Sequence, residues 1–221
     1  MGRRKPTRTR RPRQDRELER TPGDLFPPGT IIQILTDSTA QAHTTALAQG
    51  MAHPPALTAL RAGRVIAVAH TRPLYTGTDA QKGIEDLSLL AAAAAADCVV
   101  LSWETCDTKI ACGIPLDAPD TALNVLIAGE DGQYMHAEFP YTAHPIGGHT
   151  HTGLEGFRPQ WHTPIQSTNS PVLEPVQRAM EQSFTHRAAV APSGLDATVV
   201  WMQGLGYTVN LIDARPPAEA E

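Results

Sequence analysis

The sequence predicts a single α+β domain in which a mixed or largely antiparallel sheet is flanked by helices. Segments with helical apolar spacing occur near both ends of the chain, and short apolar runs of strand type lie between them. The predicted elements show neither the regular βαβ alternation of a doubly wound fold nor the even strand spacing of a sandwich. With 41% hydrophobic and 19% charged residues among 221, the composition is that of a globular protein.

The first predicted helix covers residues 31–51. Apolar side chains recur there at every third or fourth position, and Gly50 followed by Pro54 and Pro55 would end the helix. The apolar start of this segment, residues 31–35, also suits a buried strand, which is the alternative interpretation.

Three further helices are predicted. Thr78 opens a capping-box pattern, and the apolar positions after it lead into six consecutive alanines, so one helix is expected over residues 78–96. Helical apolar spacing also predicts a helix over residues 171–187 and another over residues 193–204.

Strands are predicted where apolar, β-branched and aromatic residues cluster. Residues 56–60 and 65–69 flank a Gly-containing connection and indicate a hairpin, and single strands are expected at 98–103 and 207–212. The clearest hairpin joins residues 122–128 to 134–139, because Asp131 and Gly132 supply the turn chemistry between them.

The domain is expected to span residues 29–214. Residues 1–28 are rich in Arg and Pro and offer few apolar side chains, so they are predicted to form a disordered arm. A second disordered tail is expected at residues 215–221. Residues 140–171 are rich in Pro, Gly, His and Thr and are predicted to form one long loop, which in a domain of this kind is often functional.

Charge is distributed unevenly along the chain. The net charge is −5, yet residues 1–20 carry nine Lys/Arg against three acidic residues, a charge of +6, and the remainder carries nine against 20, a charge of −11. The first 14 residues contain no acid and hold seven cations: Arg3, Arg4, Lys5, Arg8, Arg10, Arg11 and Arg13.

A segment of this kind neutralises phosphates by counterion release, without reading base sequence. We therefore expect the arm to contact nucleic acid or an acidic protein partner. The alternatives are contact with the acidic body of the same chain and a solvated terminus that has no partner.

Membrane and export functions are not indicated. The longest apolar run, residues 89–101, is 13 residues long and is interrupted by Asp97, whereas a membrane-spanning helix needs about 20. No apolar segment follows the arginine pairs near the start, and Cys98, Cys106 and Cys112 lack CxxC spacing, so reduced thiols are expected. These features predict a cytoplasmic protein. Phosphate-binding glycine loops are absent from the sequence, which argues against an ATP or dinucleotide enzyme.

Five of the nine histidines lie between residues 136 and 162. In an extended segment His149 and His151 would project to one face and could bind one divalent metal ion such as zinc, with His162 or Glu155 completing the site. No other cofactor is suggested by the sequence.

Fragments of three metal families occur in this region, each without a required part. The pair His149 and His151 resembles the His-x-His of JAB/MPN metalloproteases, but the Ser-x-x-Asp of that family is missing. With Glu155 it is also similar to the first cupin motif, but the second motif is missing. His136 and Glu138 resemble the His-x-Glu of zinc nucleobase deaminases, but no cysteine pair follows to hold zinc. They are expected to share one face of a hairpin strand instead.

Three functional interpretations result, of which a purely structural or self-associating protein is the third. The first is a non-catalytic protein whose arginine-rich arm contacts nucleic acid or an acidic partner. The alternative is a metal-dependent hydrolase with a site at His149 and His151.

Overall fold

The structure, a computed structural model, describes residues 22–116, 120–150, 153–185 and 194–212. Its centre is an antiparallel sheet with the strand order β6-β5-β4-β3-β1-β2-β8, and β7 pairs with β5 beside β6. The strands are β1 Ala56–Arg61, β2 Arg64–His70, β3 Cys98–Glu104, β4 Ala122–Gly129, β5 Tyr134–His149, β6 Glu155–Trp161, β7 Ile165–Thr168 and β8 Thr208–Leu211. The predicted α+β class with a largely antiparallel sheet is confirmed.

Helices cover both faces of this sheet. Helix α1 lies on one face, where Ala40 packs with Leu60, Val100 and Phe139 in one apolar core. The other described helices enclose a second core on the opposite face, around Leu57, Leu101 and Leu126. The helices are α1 Ile31–Ala48, α2 Thr78–Glu85, α3 Ser88–Ala93, α4 Thr105–Cys112, α5 Glu174–Thr185 and α6 Gly194–Gly204.

Both predicted hairpins are present. Ala62 and Gly63 between β1 and β2 have φ angles of 51° and 72°, the paired positive values that a tight hairpin turn requires. Between β4 and β5, Gly132 has a φ of 78°, and the carboxylate of Asp131 accepts a hydrogen bond from the backbone N–H of Gln133 at 3.0 Å.

Helix α1 is present where it was predicted, and the alternative strand at residues 31–35 is wrong. Thr30 caps the helix by accepting a 3.2 Å hydrogen bond from the backbone N–H of Gln33. The expectation of one helix over residues 78–96 is also wrong, because the segment divides into α2 and α3. The Tyr207 hydroxyl donates to the Gly83 carbonyl, which an unbroken helix would offer to Leu87, and Leu87 bonds to Ile84 instead.

The prediction of one long loop over residues 140–171 is wrong. Strand β5 continues to His149, and β6 and β7 then run one after the other along its outer edge. Most side chains here are exposed, so the alternation of buried and exposed residues that identifies a strand in sequence is weak. Pro145 and Gly147 are tolerated because the register shifts between Pro145 and His149.

The boundary of the predicted arm also needs correction. A 3-10 turn, Pro22–Leu25, packs against α1, and the side chain of Phe26 is buried in the core beneath that helix. The folded body therefore includes residues 22–28, which were assigned to the arm. Residues 1–21 and the predicted tail at 215–221 lie outside the described ranges.

Helix α4 was not predicted. Glu104 caps its first turn through the backbone N–H of Asp107, and Gly113 ends it with a φ of 69°. Within the described ranges, no helix is both long enough and apolar enough to cross a bilayer.

Candidate functional site

A cluster of mainly polar side chains lies between α1 and the sheet, at the end of an otherwise apolar interface; five of its seven members are buried, and His70 and Trp161 are partly buried. We call it the buried polar cluster and define it by residues from five elements and one connection: His43, His53, His70, Ser102, Glu104, Tyr141 and Trp161.

Helical spacing on α1 and the alternation of side chains on β3 place several of these residues on facing surfaces. On α1, Thr36, Ala40 and His43 lie one turn apart along the stripe that faces the sheet, and all three are buried. On β3, Ser102 and Glu104 are two residues apart and point to the same face, toward α1.

His43 is the most unusual member. Its side chain is 0% exposed, and neither ring nitrogen has a hydrogen-bond partner in the described part of the chain. The ring meets that of Tyr141 edge-on at 4.9 Å between centroids and that of His53 at 6.1 Å. Burial, with a smaller contribution from His53, lowers the pKa of His43 to about 3, so the ring is neutral at neutral pH.

The two neighbouring histidines extend this neutral environment. Nε2 of His53 lies 3.3 Å from the Ser102 hydroxyl, and its ring centroid is 6.4 Å from that of His70. Burial, followed by the influence of His70, lowers the pKa of His53 to about 4, and burial also lowers the pKa of His70. Neutral imidazoles are metal ligands in principle. Across the described residues, however, no three His, Cys, Asp or Glu side chains are arranged to hold a metal ion.

Glu104 is the acidic member of the cluster and is 1% exposed. One carboxylate oxygen accepts from the backbone N–H of Asp107 at 2.7 Å, and the other accepts from the Tyr141 hydroxyl at 3.3 Å. Burial raises the pKa of Glu104 to about 7 even though these hydrogen bonds favour the charged form. The carboxyl therefore caps α4 and links β3 to β5 across β4.

The opposite face of the sheet holds a partly buried histidine, His136, which has a hydrogen-bond partner. Nε2 of His136 lies 2.9 Å from Oδ1 of Asn124, and the His136 ring stacks on that of Trp103 at 5.3 Å. The Asn124 amide nitrogen donates to the Thr105 hydroxyl at 2.7 Å. These contacts indicate a structural role for His136.

The predicted metal residues are only partly brought together. His149 pairs with Glu155 in the register of β5 and β6, which brings their backbones side by side. The His149 side chain and the whole of His151 lie outside the described residues. His162 follows the far end of β6, about 20 Å along the strand from Glu155, and its Nε2 lies 2.8 Å from the Thr142 hydroxyl. His162 and Glu155 therefore do not share a site.

The seven cations of the arm between Arg3 and Arg13 lie outside the described residues. Sequence reasoning missed the buried polar cluster, because His43, His53 and His70 are separated by 10 and 17 positions and belong to different elements. One signal for the cluster was available in the sequence. His43 follows Thr36 and Ala40 at helical spacing, so it lies on the face of α1 that packs against the sheet.

The chain matches no family model, no curated protein and no solved structure.

Proposed function

We propose that this chain is a non-catalytic polyanion-binding protein, which attaches to nucleic acid through residues 1–13 and uses the α+β domain as a carrier. The observation that carries the proposal is the segregation of charge, with +6 in residues 1–20 and −11 in the remainder. A cationic segment gains affinity for phosphates by releasing counterions, whereas an acidic body repels them.

The geometry of the body supports this division of roles. Among the described cations, four form ion pairs with carboxylates of the body: Arg72 with Asp79, Lys82 with Asp86, Lys109 with Asp120, and Arg178 with Glu85 and Glu174. These cations are already neutralised in place. The other described cations of the body, Arg61, Arg64 and Arg158, are few beside the seven of the arm, so we expect binding of phosphates to depend mainly on the arm.

The buried polar cluster favours a non-catalytic body. Ser102, His53 and Glu104 are the groups that could act as nucleophile, base and acid, and they are 5%, 5% and 1% exposed. A substrate would have to displace α1 to reach them. Their contacts, a helix cap and two links between elements, are structural.

The test measures binding of the full chain to duplex DNA, single-stranded DNA and polyglutamate by fluorescence anisotropy. In one variant the seven cations between Arg3 and Arg13 are changed to Gln. The control variant changes three exposed cations of the body to Gln: Arg61, Arg64 and Arg158.

We expect the arm variant to lose DNA binding while its thermal unfolding is unchanged, and the control to bind as the wild type does. Polyglutamate is itself a polyanion, so any binding to it should also be lost in the arm variant, and binding to polyglutamate without binding to DNA would contradict attachment to nucleic acid. DNA binding that survives in the arm variant, or that is absent from the wild type, contradicts the proposal.

A second candidate is a metal-dependent hydrolase with a site at the turn between β5 and β6. The register that pairs His149 with Glu155 favours it, because the intervening turn contains His151. Zinc titration calorimetry of the wild type, a His149→Ala/His151→Ala variant and a His144→Ala control tests it. Stoichiometric binding that only the double variant loses supports a metal site, and absence of binding in the wild type contradicts it.

A further inference from the structure

An uncharged surface is formed by the part of α6 that follows Asp196 and by the edge strand β8. Residues 197–212 contain no Asp, Glu, Lys, Arg or His, although the part of the chain after residue 20 has a net charge of −11. Five large apolar side chains of this segment are exposed: Val200 by 69%, Trp201 by 49%, Leu205 by 45%, Leu211 by 37% and Ile212 by 61%. We call this surface the C-terminal face.

The apolar side chains lie on both sides of a free strand edge. Among the described strands, β8 pairs with β2 alone and ends the strand order. Leu211 shares a strand face with Val209, which is buried beside α6, whereas Ile212 is one position further and points to the other face. A partner strand paired to β8 would thus contact apolar side chains above and below the sheet.

The opposite edge of the sheet consists of β6 and β7, and its longer strand, β6, is different; the four-residue strand β7 also lacks charge and proline but directly follows Pro164. Strand β6 carries Glu155 and Arg158, both exposed, and Pro159, which cannot donate a backbone hydrogen bond. Charges and proline on an edge strand prevent pairing with another chain. The four residues of β8, from Thr208 to Leu211, include neither a charge nor a proline.

We propose that the C-terminal face binds a second copy of this chain, through antiparallel pairing of the two β8 strands about a two-fold axis. An antiparallel edge paired with itself is self-complementary, as a two-fold interface requires. Two bodies of like charge repel each other over most of their surface, and the C-terminal face has no charge to add to that repulsion. It is therefore where two copies approach at the lowest electrostatic cost.

The available area is consistent with such a dimer. The five side chains expose roughly 500 Å² of mainly apolar surface, at the upper end of the largest patch on a typical monomer. A standard interface buries about 800 Å² on each partner, so the backbone of β8 and the neighbouring exposed residues would supply the rest. A Cβ added at Gly204, on the exposed side of α6, would meet no atom within 4 Å, so nothing in the described structure blocks a second α6 there.

Sedimentation equilibrium of the full chain between about 1 and 100 μM tests the proposal, because interfaces of standard size have dissociation constants of micromolar or below. We expect a concentration-dependent species of twice the chain mass of 23.7 kDa. In a Val200→Glu/Trp201→Glu variant, the dissociation constant should rise at least about 30-fold, the effect of losing a central interface tryptophan. The control is Ile110→Glu, since Ile110 is 52% exposed on α4, away from the C-terminal face, and its dimer should be unchanged.

Circular dichroism establishes that each variant is folded. Hydrogen–deuterium exchange of the wild type supplies a second measurement that requires no substitution, and amides of β8 should become more protected as the concentration rises. A wild type that is monomeric throughout, a dimer that persists in the folded double variant, or β8 amides whose exchange is independent of concentration would overturn the proposal.

Discussion

The hydroxyl of Tyr141 donates a 3.3 Å hydrogen bond to the carboxylate of Glu104, joining β5 to β3 beneath α1. The same carboxylate caps α4, so one buried acid connects two strands of the sheet and the first turn of a helix. Its pKa of about 7 and the lowered pKa values of His43 and His53 make the stability of the body depend on pH in two opposite directions.

Replacing Glu104 by Gln should remove one of these dependences. Because the pKa of Glu104 is raised from 4.5 to about 7 in the folded state, its contribution to stability is present below pH 4.5 and is lost as the pH rises through 7. Between pH 5.5 and 8 we expect the free energy of unfolding of the wild type, relative to Glu104→Gln, to fall by about 2 kcal/mol.

Urea unfolding of both proteins at several pH values measures this difference. Tyr141→Phe provides a second comparison, because loss of a hydrogen bond to the carboxylate should shift the window to higher pH. If the free energy of unfolding depends on pH in the same way for the wild type and the Gln variant, Glu104 does not titrate as described.

Replacing His43 by Leu should stabilise the protein most at acid pH. The pKa of His43 is lowered from 6.5 to about 3, so its contribution to stability is present above pH 6.5 and is lost as the pH falls toward 3. Relative to the wild type, the variant should gain about 2 kcal/mol in free energy of unfolding between pH 7.5 and pH 5. At pH 7.5 it should be close to neutral, since the ring makes no hydrogen bond that is lost.

The measurement is again urea unfolding, at the two pH values. Gln41→Leu, on the exposed side of α1, is the control and cannot change the pH profile because neither residue titrates. If His43→Leu has the same pH dependence as the wild type, His43 is not the buried neutral group that the structure describes.

Gly156→Ala should weaken the packing of α1 on β6. A Cβ at Gly156 would lie 2.4 Å from the Ala48 carbonyl oxygen, so the helix end or the strand must move. We expect a loss of about 1–3 kcal/mol, the cost of overpacking a well-packed contact. Gly204→Ala, which has open space and lies in a helix, should instead gain up to about 1 kcal/mol. Thermal unfolding of both variants decides whether the two effects have opposite signs.

The hairpins were predictable because their chemistry is local. Turn residues at 62–63 and 131–132 determine the backbone there, and apolar runs on either side of each turn determine the register. The break between α2 and α3 was not predictable, since it depends on the Tyr207 hydroxyl, more than 120 residues away in sequence.

The candidate sites, too, depend on contacts between residues that are distant in sequence, and these contacts could not be predicted. Neighbouring histidines in residues 136–162 were visible in the sequence, but β6 carries His162 away from Glu155, and that separation required the strand assignment. The buried polar cluster depends on tertiary contacts, in which α1 brings His43 over Tyr141. Nothing in the sequence around His43 or Tyr141 indicates that the two side chains meet.

The central claim is that residues 1–13 attach an acidic body to polyanions, and the salt dependence of duplex DNA binding tests it most directly. With up to seven phosphate contacts, the slope of log affinity against log salt should lie between about −4 and −6 for the wild type. Arg10→Gln/Arg11→Gln should reduce its magnitude by about 2, whereas Arg61→Gln/Arg64→Gln in the β1–β2 hairpin should leave it unchanged. Slopes that are equal in all three proteins, or no binding at low salt, would contradict the claim.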